Sequence, residues 1–281
     1  MNKKKILKAV YIAFAIVLVG FIAFLVNAFT GNPVSRLLAK NSAEKHIEEA
    51  YSDKDFYIEQ VFYSFKDGFY HITVSSPSSP DSSFNIVADM LGRINLDTYE
   101  DVITNKRNTA YRIGNQYRQA VDNVLIREDF PYETHIAFGD IEFTDREISD
   151  MPDVPSFAIV TDTLELDADY DIAELGRKAG RLVIYIYDED ASVEKLSEIL
   201  INIKSIVNSA GVEFYAIDCV LENHPDGNDT DKRAEVRSFL CDDIYEDGLV
   251  QRVAEADRIL KEYYAQQDEL KKQEEALLGN N

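Results

Sequence analysis

The longest apolar run sits near the start. Residues 9–29 read A-V-Y-I-A-F-A-I-V-L-V-G-F-I-A-F-L-V-N-A-F, with no charge and only Gly20 and Asn27 as interruptions. A helix of that length rises about 32 Å, which matches a hydrocarbon core of about 30 Å. Lys3, Lys4, Lys5 and Lys8 precede it with no acid among them. Residues 1–8 are therefore expected as a cytoplasmic tail, 9–29 as a transmembrane helix, and everything after as extracytoplasmic. Arg36 and Lys40 on the other flank weaken the bias without reversing it. The competing reading is a cleaved signal peptide, with small residues for a cut at Val26-Asn27-Ala28. The apolar run exceeds the roughly 7–15 residues of a signal core, which favours a retained anchor. No cysteine follows the run, which excludes a lipoprotein-type anchor.

After the run the pattern changes period. Asn32-Pro33 suits a helix start, and Val34, Leu37, Leu38, Ile47, Ala50 and Tyr51 give an apolar stripe to about Ser52. Two segments then alternate with period two, 59–65 and 69–75, around Lys66-Asp67-Gly68. Asp-Gly in a two-residue turn sets Phe65 against Tyr70, Tyr63 against Ile72 and Val61 against Val74, all on one apolar face. A Ser/Pro loop at 76–82 and a strand at 83–88 follow. Asp97 with Glu100 resembles a capping box, and Val102, Ile103, Ala110, Ile113, Tyr117, Ala120, Val121 and Val124 continue a helix that Pro131 stops. A strand is expected at 134–143.

Residues 145–155 are polar and proline-containing, which marks a boundary between domains at 30–145 and 156–281. The second half predicts a strand at 157–166, a short helix opened by Asp171 and Glu174, a buried strand at 182–187 and an amphipathic helix from Val193 to a stop at Gly211. Strands at 212–221 and 235–245 flank a polar loop. A helix from 248 to 278 turns Val253, Ala256, Leu260, Tyr263 and Leu270 inward. The fold class is α+β: a transmembrane helix, then two small domains with mainly antiparallel sheets.

The formal net charge of −22 changes this picture, because four of the basic residues lie ahead of the span and the remainder is more acidic still. Such a surface repels nucleic acid and anionic membrane faces. Its plainest reading is a solvated, aggregation-resistant exterior. Two cysteines, Cys219 and Cys241, are too few for a disulfide scaffold. Centring the last hairpin near Thr230 sets them opposite each other, where geometry permits a disulfide. A slip of one or two residues leaves two small buried thiols instead.

Candidate chemistry is sparse. Asp167, Asp169 and Asp171 have calcium-loop spacing, but Ile172 and Lys178 stand where the loop needs Gly and Glu, so a strand end and an N-cap explain them. Residues 226–231 are acidic and also lack the bidentate Glu. His46, His71, His135 and His224 share no metal-binding spacing. Neither catalytic residues nor a cofactor or metal site is expected. One basic cluster stands out: Arg107, Tyr111 and Arg118 at helical spacing, beside Lys106 and Arg112. It is a candidate face for an anionic partner, weighed against pairing with the protein's own acids.

The order of anchor, Asn32-Pro33, the hairpin Phe65-Lys66-Asp67-Gly68-Phe69-Tyr70 and the stretch Ser75-Ser76-Pro77-Ser78-Ser79-Pro80-Asp81-Ser82-Ser83-Phe84 resembles the YfjL-like family. The resemblance implies a membrane-anchored envelope protein of Gram-positive bacteria with an N-terminal and a C-terminal domain. It brings no catalytic residues. The expected function is a non-enzymatic binding module for an envelope protein or wall polymer. A solute- or cation-binding sensor or transporter accessory is the alternative, and an envelope hydrolase the least favoured.

Overall fold

The computed structural model describes residues 3–149, 151, 154–224 and 233–278. The element order is α1 (Lys3–Thr30), α2 (Pro33–Ala50), β1 (Tyr57–Ser64), β2 (Phe69–Ser76), β3 (Ser79–Ala88), β4 (Ile94–Asp97), a single π-helical turn (Glu100–Thr104), α3 (Arg107–Leu125), β5 (Glu133–Ile141), β6 (Phe143–Thr144), β7 (Ile159–Val160), α4 (Ile172–Ala179), β8 (Gly180–Tyr187), α5 (Val193–Ser209), β9 (Ala216–Glu222), β10 (Arg233–Leu240) and α6 (Leu249–Leu278). The class is α+β. Packing divides the chain within α3: Met1–Thr109 with Glu165–Asp167 form one compact unit, and Ala110–Leu164 with Ala168–Asn281 the other. This differs from a boundary at 145–155, because β5 pairs with β8 and so belongs to the second sheet.

In the first unit, β1–β4 form an antiparallel meander. The hairpin keeps the expected faces but not the expected partners. Tyr63 pairs with Tyr70 and Val61 with Ile72, two residues from the expected register, a slip that preserves the face of every side chain. Only Gly68 in the turn has positive φ, at +79°, so the two-residue turn that needs it twice does not form. A four-residue loop takes its place. The Gly68 amide donates to the Ser64 carbonyl at 2.8 Å, and the Asp67 carboxylate accepts from the Phe69 amide at 3.0 Å. Phe65 leaves the ladder and is exposed.

Helix α2 covers this sheet with Ala39, Ala43 and Ile47, which pack on Val61, Ile72, Val74, Phe84 and Ile86. The expected stripe is thus corrected: Val34, Leu37 and Leu38 face away and are exposed. Small side chains let the helix lie close to the sheet, so the alanines are selected over the larger residues. The helix expected from Asp97 is also broken. Asp97 ends β4 and accepts from the Tyr99 amide, the Tyr51 hydroxyl and His46 Nε2, and α3 starts only after Lys106, at φ 59°.

The second unit holds a sheet ordered β10-β9-β8-β5. β8 and β9 run parallel, joined by α5, while the outer pairs are antiparallel. Leu182, Ile184 and Ile186 with Ile217, Cys219 and Leu221 face α5, whose Leu196, Ile199, Leu200, Ile203 and Val207 complete the main core. Tyr117 of α3 is fully buried in a slot without side chains: a Cβ at Gly139, Gly176 or Gly180 would come within 3.0 Å of its ring or hydroxyl. Its hydroxyl donates to the Glu213 carbonyl at 2.9 Å, and burial pushes that hydroxyl above its ordinary pKa.

The strand expected at 157–166 shrinks to Ile159–Val160, which pairs only with Phe143–Thr144. Of the capping box expected on α4 the Asp171 half forms, accepting from the Ala173 and Glu174 amides, while the Glu174 carboxylate accepts from Lys178 instead. On α6, Val253 is buried, but Tyr263 and Leu270 are exposed rather than inward.

A charged and aromatic sheet face as the candidate functional site

One face of the second unit's sheet meets α5; the opposite face carries the unit's densest chemistry. Strand alternation sends Arg181, Val183, Tyr185 and Tyr187 of β8 to that face. Their partners Asp218, Val220 and Glu222 of β9, and Asp140, Phe138 and Ile136 of β5, share it. Arg233, Glu235 and Arg237 of β10 extend it to the edge.

These charges form a continuous alternating chain. Glu142 lies 2.5 Å from Arg181, Arg181 lies 3.6 Å from Asp218, and Asp218 lies 3.7 Å from Arg237. Arg237 then lies 3.5 Å from Glu235, which also pairs with Arg233. Three carboxylates thus neutralise three guanidiniums across three strands. Asp218 in addition accepts from the Ser238 amide at 2.6 Å, and Arg237 donates to the Tyr185 hydroxyl at 2.7 Å. Burial pushes the Glu142 carboxyl above its ordinary value, against the opposing pull of Arg181. Pairing of this kind stabilises charges that would otherwise be costly on a half-buried face.

At the far end of the face lies an aromatic sandwich. The Tyr187 ring stacks between His135, at 4.2 Å, and His224, at 4.5 Å. His135 pairs with Glu222 and His224 with Glu133, each at 3.2 Å. Ile136 remains 39% exposed between the sandwich and Phe138, so the face offers apolar and aromatic surface between paired charges.

The residues singled out from the sequence fall elsewhere or are engaged. Cys219 faces Val236 across β9 and β10, not Cys241, and both thiols are free. β10 ends at Leu240, so Cys241 enters a short 3-10 turn outside the ladder. Arg107, in the first unit, pairs with Asp101 at 2.6 Å. In the second unit Arg118 pairs with Asp140 at 2.7 Å and lies over the Phe138 ring, which joins it to the sheet face. Arg112 donates to the Ala168 carbonyl, and Tyr111 is 73% exposed. Asp167 of the calcium-like spacing accepts from Ser79 and from the Asp81 amide, while its own amide donates to Asp81. The acidic stretch 226–231 lies outside the described residues, and among the described residues no cluster with metal-ligand geometry is found.

Sequence reasoning missed the charge chain. Its signal was present: Arg181, Asp218, Glu235 and Arg237 interrupt strands that are otherwise apolar. Their convergence depends on strand order, which spacing does not give.

Two family models match the chain: the YfjL-like N-terminal domain over residues 6–98 and the YfjL-like C-terminal domain over residues 116–254. Together they span well over half of it. The chain belongs to the YfjL-like family. No curated protein matches. Among solved structures, a DUF5037 family protein from Ruminococcus gnavus aligns at 11% identity with a TM-score of 0.20, over 66% of this chain and 74% of that one. So low a score carries no weight for fold or function.

Proposed function

We propose that this YfjL-like protein is a single-pass, membrane-anchored binding module whose two units lie outside the cytoplasm. The observation that carries the reading is α1. Among the described residues it is the one helix long and apolar enough to cross a membrane, and none of its most apolar window is buried by the protein. Tyr11, Phe14, Ile16, Val17, Phe21, Phe24 and Val26 are exposed around its circumference. A helix apolar on every side needs an apolar solvent, and the lysines before it favour a cytoplasmic N-terminus. The mutually neutralised charges and half-exposed aromatics on the second unit's sheet support recognition of an envelope partner. Tyr111, two turns before Arg118 on α3, is a second candidate contact.

Topology is tested with a single cysteine at position 111 in a Cys219→Ala, Cys241→Ala background. A membrane-impermeant maleimide labels it in intact cells; labelling only after lysis overturns the orientation. Photo-crosslinkers at Ile136 and Tyr111, compared with one at Tyr57 in the first unit, test the binding face. A discrete protein or polymer adduct at position 136 is expected, and adducts no stronger than at position 57 overturn it.

A further inference from the structure

We infer that one end of the first unit's sheet is itself a membrane-docking surface, seated in the bilayer interface beside α1. This deepens the proposed anchoring and rests on it. In the meander, the β1–β2 turn (residues 65–68) and the β3–β4 turn (residues 89–93) fall at the same end of the sheet. α1 ends there too: the Phe29 ring meets the Phe65 ring at 5.7 Å. The joint between α1 and α2 is only Gly31-Asn32, and it is tied to the sheet. Tyr70 OH donates to the Asn32 carbonyl at 2.9 Å and accepts from the Asn32 amide at 2.8 Å. Gly31 has φ +68°, and a Cβ there would lie 2.5 Å from Tyr70 Oη. The span therefore cannot deliver the sheet far from the membrane surface.

What this end presents fits an interface. Phe65 is 59% and Leu91 68% exposed, at the tips of two separate turns. Val34 and Leu37, in the first turns of α2, are also exposed, because α2 packs through its alanines instead. Gly92 sits against the Leu38 carbonyl, so the second turn lies alongside α2. Exposed Lys66 and Arg36 are interspersed with these apolar residues, while the two turns' carboxylates are engaged, Asp67 by His71 and Asp89 by Arg93. In a chain of net charge −22, bulky apolar residues with cations around a span suit the boundary between acyl chains and anionic headgroups.

The chain contains no tryptophan, so single-tryptophan variants report without background. Full-length protein carrying Phe21→Trp, Phe65→Trp, Leu91→Trp or Tyr57→Trp is reconstituted into mixed phosphatidylcholine and phosphatidylglycerol vesicles containing brominated lipid. Tyr57 lies at the opposite end of β1 and serves as the control. The expected result is strong quenching at positions 21, 65 and 91 and none at 57. Quenching at 21, with 65 and 91 no more quenched than 57, overturns the docking surface and leaves the anchor standing. Absence of quenching at 21 overturns the anchor and the docking surface with it. Leu91 is exposed on a turn separate from Phe65, whose ring meets Phe29, so agreement between the two turns excludes a local artefact at either.

Discussion

Cys219 and Cys241 show how burial decides the chemistry of a single residue. Cys219 is fully buried and its thiol is pushed up to about 12 by desolvation; Cys241 is half-buried and raised for the same reason, opposed by Lys204. Since the thiolate is the nucleophile, a thiol reagent at neutral pH should modify Cys241 in the folded protein and Cys219 only on unfolding. Mass mapping of the labelled peptides checks this. An unfolded thiol loses its proton near pH 8.5, whereas folded Cys219 keeps it to about 12. The folded state holds the extra proton in that window, so Cys219 lowers stability as pH climbs through it. Urea unfolding from neutral to alkaline pH should show a shallower decline for Cys219→Ala than for the parent. Gly176 makes a second point at this scale. Gly→Ala inside a helix normally stabilises by about 1 kcal/mol. Here the new Cβ would lie 2.3 Å from the Glu213 carbonyl and 2.6 Å from the Tyr117 ring. Gly176→Ala should destabilise instead, by about 1–3 kcal/mol, seen as a lowered urea midpoint.

Elements are stabilised by what they face. Leu200 is fully buried on α5 against the sheet, and Leu200→Ala should cost about 2–5 kcal/mol; Ile259→Ala on α6, at a position 52% exposed, should change little. The charge chain is the sheet's other device. Asp218 lies between Arg181 and Arg237 and is nearly buried, so Asp218→Ala interrupts the chain and takes the acceptor from the Ser238 amide, leaving Arg181 to Glu142 and Arg237 to Glu235. A loss of about 1–3 kcal/mol is expected, the cost of leaving hydrogen-bonding partners of a buried carboxylate unsatisfied. The exposed Glu174–Lys178 pair on α4 is worth only about 0.3–0.5 kcal/mol. Equal effects of Asp218→Ala and Lys178→Ala in denaturant titrations would refute the distinction. The elements themselves were legible unevenly. The β1–β2 hairpin announced its faces through alternation, yet its register depended on one positive-φ residue rather than two. The charge chain was visible as scattered charges in apolar strands, and its meaning emerged only when β8, β9 and β10 became neighbours.

For the molecule as a whole, the governing feature is the contrast between an all-round apolar α1 and an acidic remainder. Removing residues 1–31 leaves Asn32 as the N-cap of α2, accepting from the Ser35 amide, and keeps its tie to Tyr70. The truncated chain should remain in the supernatant after ultracentrifugation, with its far-UV circular dichroism changed only by loss of α1. Sedimentation in the absence of lipid, or loss of the β signal, would contradict this.

The sequence alone determined what local pattern encodes: a long apolar N-terminal helix, the period-two hairpin faces, the caps at Asn32 and Asp171, the amphipathic α5 and the α+β class. These follow from side-chain periodicity and from backbone demands within a few residues. The tertiary structure decided which face of α2 packs, because the sheet admits alanine where larger side chains do not fit. It also decided the division within α3, since β5 pairs with β8 across the polar stretch, and the fate of 157–166, where only Ile159–Val160 finds a partner strand. Cys219 and Cys241 stay apart for the same reason. Strand order and register arise from contacts distant in sequence, and no local period records them.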